Sequence, residues 1–200
     1  MMKRAGAYLA AVILGLALGL GSALWLAGLW PARSNMAFGD IDVGGWRTDF
    51  AIGSKAADPY VRARVARHGL LALAKTEAVY FTRATDDTGA PLREGCTYNL
   101  SGDQMPAGWW SVTLYEAASL LPANTDGALS INAERAGGGA WSAVIAPQRP
   151  MDGGMWISSR GAKTFDLTLR LYMPSAALLA NPNAALTPPR IERVICEGEQ

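Results

Sequence analysis

The chain of 200 residues carries 18 Lys and Arg against 17 Asp and Glu, a formal net charge of +1, and half of it is apolar. That balance leaves no electrostatic case for a nucleic-acid partner, and no dense basic run supplies one locally. The 22 Gly and 11 Pro fall between short apolar runs, which suits many short strands joined by turns and not a helix bundle.

Met1-Met2-Lys3-Arg4 is basic, and no charged residue follows from Ala5 to Ala32. A helix needs about 20 apolar residues to cross a hydrocarbon core, so residues 7–30 are read as a transmembrane helix and residues 1–6 as a cytoplasmic stub. Lys3 and Arg4 place the N-terminus in the cytoplasm by the positive-inside rule. Trp25 and Trp30 suit the far interface. The competing reading is a cleaved signal peptide with Ala32-Arg33-Ser34 as a weak cleavage site, but the apolar run exceeds the 7–15 residues usual for such a segment. Both readings export the remainder to the periplasm or another extracytoplasmic space. Gly15 and Gly19 form a GxxxG spacing, which a Gly/Ala-rich span produces readily by composition alone.

Export gives a meaning to Cys96 and Cys196, the chain's two cysteines. An oxidising compartment permits a structural disulfide, which would tie the last strand to the middle of the chain. The alternative is two buried thiols. Their spacing suits neither CxxC redox chemistry nor zinc.

Residues 31–57 read as a linker and extended arm, with Trp46–Ile52 as an early strand or irregular segment, and residues 58–200 as the exported domain. Asp58-Pro59 supplies an N-cap and a first-turn proline. Val61, Val65, His68 and Ala72 then share one face, predicting an amphipathic helix over 59–72. The arginines at 62, 64 and 67 lie mostly off that stripe, where anionic lipid is one reading and a solvated face the plainer one. His68, the one histidine, reads as packed, because no partner for acid–base work accompanies it.

Glu77–Arg83 and Cys96–Leu100 read as strands that could pair as a hairpin, with Asp86-Asp87-Thr88-Gly89 as a turn. Asp86 and Asp87 lack the spacing of a calcium loop. Trp110, Val112 and Leu114 alternate with Ser111, Thr113 and Tyr115, predicting another strand. Short strands follow at Leu129–Ala133, Trp141–Ile145 and Trp156–Ser158. Gly137-Gly138-Gly139 lacks the lysine of a phosphate loop and reads as a turn.

The clearest strand is Phe165–Tyr172, stopped by Met173-Pro174. Phe165, Leu167, Leu169 and Leu171 alternate with Asp166, Thr168, Arg170 and Tyr172, so one face is core and the other is wet or lined with polar groups. A short helix over 174–180 ends before Pro182, and Ile191–Cys196 forms the last strand. About eight short strands at this spacing predict a mainly β sandwich or jelly roll.

The runs Gly108-Trp109-Trp110-Ser111-Val112-Thr113-Leu114-Tyr115, Leu129-Ser130-Ile131, Phe165 to Pro174 and Thr187 to Val194 resemble the DUF1214 family. The earlier runs Trp46-Arg47-Thr48, Ala51-Ile52-Gly53-Ser54 and Asp58 to Leu71 are similar to a short, membrane-anchored branch of it. The resemblance covers about residues 75–197 and implies an antiparallel jelly-roll sandwich. Longer relatives place a DUF1254 domain ahead of this one, where this chain has its anchor. The family is named for unknown function, so no catalytic residue, cofactor or metal ligand carries over.

Two functional expectations follow. The first is a non-enzymatic envelope module that binds a partner protein, glycan or lipid through its sheet face or loops, with Trp109, Trp156, Arg160, Asp166 and Arg170 as its candidate ligand surface. An exposed tryptophan beside a turn could stack on a sugar, although core packing is the commoner use of such a ring. The second is a hydrolase acting on an envelope glycan or lipid, for which Asp166, Arg170, Glu116, Arg160 and Lys163 supply polar groups. Asp166 and Arg170 lie about 13 Å apart along the strand by the rise per residue, too far to pair with each other.

Overall fold

A computed structural model describes residues 2–27, 39–55, 57–67 and 73–197. Helix α1 (Met2–Leu26) has 25 residues, about 37 Å at 1.5 Å per residue. Residues 4–20 are exposed on every side, so its apolar surface has no counterpart in the rest of the fold. It is long and apolar enough to span a bilayer. The expected span reached residue 30, but residues 28–30 lie outside those described.

The remainder is a β-sandwich. One sheet has six strands in the order β1-β2-β3-β9-β5-β6, and the other has four in the order β10-β4-β7-β8. The first contains β1 (Ile41–Val43), β2 (Trp46–Thr48), β3 (Ala78–Arg83), β5 (Ala107–Glu116), β6 (Ser130–Asn132) and β9 (Phe165–Pro174). The second contains β4 (Cys96–Gly102), β7 (Trp141–Ala146), β8 (Trp156–Ser158) and β10 (Arg190–Cys196). Short helices α3 (Ala133–Ala136), α4 (Ala176–Ala180) and α5 (Pro182–Ala185) cross the ends.

The core lies between the sheets, where the alternation of each strand sends its apolar set. Phe165, Leu167, Leu169 and Leu171 are all buried there with Val112, Leu114, Tyr98 and Leu100. Tyr98 meets Phe165 edge-on at 6.0 Å, and Trp110 stacks on Trp141 at 4.6 Å. β9 and β5 are neighbours, in antiparallel register from Trp110 opposite Leu171 to Glu116 opposite Phe165.

Two expectations are corrected. Glu77–Arg83 and Cys96–Leu100 do not form a hairpin, because β3 pairs with β9 in one sheet while β4 pairs with β10 and β7 in the other. The link between them is an arch from sheet to sheet. β8 runs parallel to β7, so the second sheet is mixed. The helix expected over 174–180 is α4, which ends before Pro182 as expected, and Asn181 then caps α5 by accepting from Ala184 N–H. Of the two readings of the second face of β9, wet or lined with polar groups, the second holds at Asp166 and Thr168, which are 2% and 0% exposed.

The reach of the core into the arm is wider than periodicity suggests. Trp46 is 0% exposed and its Nε1 donates to the Pro189 carbonyl at 2.8 Å. Helix α2 (Pro59–Arg67) starts where Asp58 and Pro59 predict, with Asp58 Oδ1 accepting from Tyr60 N–H at 2.7 Å and Val61 N–H at 3.0 Å. Val61 and Val65 pack with Ile52 and Leu73 on Ala78, Tyr80 and Tyr172. The predicted continuation through His68 and Ala72 lies outside the described residues.

Cys96 and Cys196 face each other across β4 and β10 and form a disulfide closing a separation of 100 residues. The arch is bolted to the same edge strand by charge. Asp86 Oδ1 accepts from Thr88 N–H at 2.9 Å, Thr88 Oγ1 at 2.6 Å and Ala90 N–H at 3.0 Å. Its Oδ2 stands 3.6 Å from Arg193 Nε on β10. Asp87 binds Arg83 at 3.1 Å and Arg190 at 3.2 Å. It also accepts from Ile191 N–H and donates its own N–H to the Ile191 carbonyl. These contacts occupy backbone groups that an edge strand otherwise offers to other chains.

Candidate functional site, a polar sheet face centred on Arg170

The second face of the six-stranded sheet is where polar side chains of three strands meet. Register places Tyr80 opposite Arg170 and Thr82 opposite Thr168. On the other flank, Ser111 faces Arg170, Thr113 faces Thr168 and Tyr115 faces Asp166. Period-two alternation puts all of these on one surface. Tyr80, Thr82, Ser111, Asp166 and Thr168 are buried, while Thr113, Tyr115 and Arg170 are half-buried.

Arg170 is the fixed point of this surface. It donates to Thr113 Oγ1 at 3.0 Å and to Tyr115 Oη at 2.5 Å. Its guanidinium carbon lies 5.3 Å from the Tyr115 ring centroid and 6.0 Å from that of Tyr80, within cation–π range. Burial pushes the Tyr80 phenol above its usual value and neighbouring Tyr172 adds to the effect, against a smaller pull from Arg170 and a backbone hydrogen bond at Leu73. Tyr80 is therefore neutral at physiological pH. With five N–H donors on a guanidinium and two hydrogen bonds made to side chains here, Arg170 suits a carboxylate or phosphate.

The five residues read as a ligand surface separate into two places. Asp166 and Arg170 are on the polar face. Trp109 joins its upper rim, half-buried and edge-on to Tyr172 at 5.4 Å. Trp156 is withdrawn from any surface: it is 8% exposed and its Nε1 donates to the Ala146 carbonyl at 2.9 Å. Arg160 is engaged elsewhere, in a two-point ion pair with Asp126, whose Oδ2 also accepts from Ser158 Oγ at 2.6 Å. Hydrogen bonds from Ser158 and Arg160 hold the Asp126 carboxyl below its usual range. Glu116 sits at the end of β5, opposite Phe165, and Lys163 is in the preceding turn, its N–H bonded to Glu94 at 3.1 Å.

Tyr80, Thr113 and Tyr115 were not singled out from sequence. Thr113 and Tyr115 stand in a recognised alternating strand, but their placement beside Arg170 is a matter of register. Among the described residues, no three His, Cys, Asp or Glu gather to hold a metal ion. A cleft of about 670 Å³ opens on the second sheet between Thr97, Val144, Ile195 and the 147–151 loop, with Glu197 its one carboxylate.

The family model described as "Protein of unknown function (DUF1214)" matches residues 77–176, a span that contains β3, β5 and β9 and so the whole of this face. The chain belongs to the DUF1214 family. A crystal structure of the VPA0106 protein from Vibrio parahaemolyticus is similar at a TM-score of 0.54 and 20% identity, over 68% of this chain and 35% of that one. An uncharacterised protein from Burkholderia cenocepacia aligns at a TM-score of 0.42 and 18% identity, over 58% of this chain and 29% of that one. This DUF1214 chain thus matches about a third of the length of those proteins, and at 20% identity the likeness to the first speaks to fold alone. No curated protein matches it.

Proposed function

We propose that this DUF1214 protein is a membrane-anchored, non-enzymatic recognition module of the cell envelope. In this reading α1 crosses the membrane with Lys3 and Arg4 on the cytoplasmic side, and the sandwich lies in the periplasm. Its recognition surface is the half-buried part of the polar sheet face around Arg170, Thr113 and Tyr115, and its partner is an envelope protein or glycan that presents an anionic group. The observation that carries the reading is Arg170, a cation held by Thr113 and Tyr115 between two tyrosine rings. Such a group is positioned before a ligand arrives, which lowers the ordering cost of binding.

The test uses the full chain in detergent against acidic envelope glycans and envelope extract, with hydrolytic screening of the same fractions. Arg170→Gln is expected to weaken binding by about 10- to 100-fold, the worth of one charge-assisted contact. Reproducible turnover that disappears in a folded Asp166→Ala variant would establish the hydrolase instead.

A further inference from the structure

The polar face does not end at β5. Thr113 stands opposite Ser130 and Ser111 opposite Asn132, so alternation carries the same surface onto β6. Toward β3 the face is closed, with Tyr80 and Thr82 buried. Toward β6 it opens, where Thr113, Tyr115 and Asn132 are half-buried and Ser130 is exposed. Trp109, also half-buried, stands one row above Arg170 and opposite Tyr172. The open part is a strip from Arg170 across β5 to β6, about 10 Å wide at the spacing of neighbouring strands, with an aromatic ring along its upper edge.

The hydrogen bonds already made give this strip one polarity. Thr113 Oγ1 and Tyr115 Oη each accept from Arg170. A hydroxyl that accepts still carries its own O–H, so each has a proton left to donate. Asn132 caps α3 with its side-chain oxygen, which accepts from Arg135 N–H at 3.1 Å, and its amide N–H groups are the end that remains. A guanidinium has five N–H donors, and Arg170 spends two on these hydroxyls. The strip therefore presents donors to whatever lies on it, and an oxygen-rich, anionic ligand satisfies them. Asp166, the carboxylate of β9, is enclosed and lies about 13 Å along the strand from Arg170.

A carboxylate side chain from a protein partner would occupy Arg170 and leave Trp109, Ser130 and Asn132 without a part. A sugar chain would use all of them. By register, Trp109 and Arg170 are diagonal cross-strand neighbours, about 7–8 Å apart. A carboxylate attached directly to a sugar ring can then meet the guanidinium while the ring packs on the indole. We infer that the β9–β5–β6 strip binds an acidic oligosaccharide built of uronic-acid units, laid across the strands. One unit stacks on Trp109 with its carboxylate on Arg170, and the next lies over Thr113, Ser130 and Asn132. The inference rests on the recognition reading of Arg170 and names the ligand class.

The test is calorimetry on the full chain in detergent, with hexagalacturonate as the acidic sugar, maltohexaose as the neutral sugar and hexaglutamate as the acidic peptide. Hexagalacturonate is expected to bind about tenfold more tightly than either of the others, or better. Arg170→Gln should weaken it by about 10- to 100-fold. Trp109→Ala should weaken it by about 5- to 30-fold, the range for an aromatic residue in an interface. In the wild type, the Trp109 indole N–H resonance should move when hexagalacturonate is added, which reads the contact without a substitution. A static Trp109 resonance beside bound hexagalacturonate, or hexaglutamate bound as tightly, overturns the glycan assignment and leaves Arg170 as an anion site. Absence of hexagalacturonate binding also overturns it. If Arg170→Gln then captures the same envelope fractions as the wild type, the recognition reading falls with it.

Discussion

Replacing Asp86 tests how the arch between the two sheets is held. This carboxylate is 1% exposed and accepts three hydrogen bonds on Oδ1, with Arg193 near Oδ2. Asp86→Ala strands two backbone N–H groups and the Thr88 hydroxyl, and removes the carboxylate beside Arg193. Breaking a buried charged cluster from one side costs about 3–5 kcal/mol. Asp86→Asn keeps an oxygen for the turn but loses the charge, and its cost is about 1.5 kcal/mol, one charge-assisted contact. Burial alone would raise the Asp86 pKa, yet the bonds from Thr88 and Ala90, with Arg193, outweigh it and hold the carboxyl below its usual value. A folded pKa depressed in this way contributes stability that is complete above the unfolded value of about 3.9 and is lost as pH falls through the folded one. Urea titrations followed by tryptophan fluorescence, from pH 7 down to pH 3, read both effects. The Asn variant should show a shallower loss of stability below about pH 4 than the wild type. An Ala variant as stable as the wild type, or an Asn variant with the same acid slope, would refute the role given to this turn.

Two other perturbations probe the sandwich. Cys96→Ala/Cys196→Ala should run with altered mobility beside the oxidised wild type on a non-reducing gel. It should also lose up to about 4.7 kcal/mol in urea, the chain-entropy ceiling for a loop of 100 residues. Gly102→Ala puts a methyl group 2.7 Å from the Trp141 ring, which is stacked on Trp110. The expected outcome is a loss of about 1–3 kcal/mol with a changed near-ultraviolet circular dichroism signal, and an unchanged signal would show that the stack tolerates the shift.

Local pattern accounts for much of what was legible in the chain. Alternation in Phe165–Tyr172 and Trp110–Tyr115 is enough to specify a core face, because a one-residue slip would turn every leucine from the core to the polar face. Asp58-Pro59 carries its own helix start, since capping is a contact between near neighbours. The apolar N-terminal run needs only its length, and the family resemblance needs only the order of its motifs. The separation of β3 from β4 was not legible, because which sheet a strand joins depends on partners far along the chain. Trp156 shows the same limit: a tryptophan beside a turn reads alike whether its ring is buried or open, and here a carbonyl ten residues earlier takes its N–H.

The sequence by itself determined an N-terminal helix long and apolar enough to span a membrane, the β-rich remainder and the two strands at its centre, all of which rest on periodicity and short-range chemistry. Only the tertiary structure decided what stands around Arg170. Thr113 and Tyr115 lie 57 and 55 residues away in the chain, and antiparallel register brings them to its guanidinium. It also decided that Asp166 and Thr168 are enclosed, because burial of a strand's second face is set by what packs over it. The polar alternation of one strand thus became a candidate site through the two strands hydrogen-bonded on either side of it.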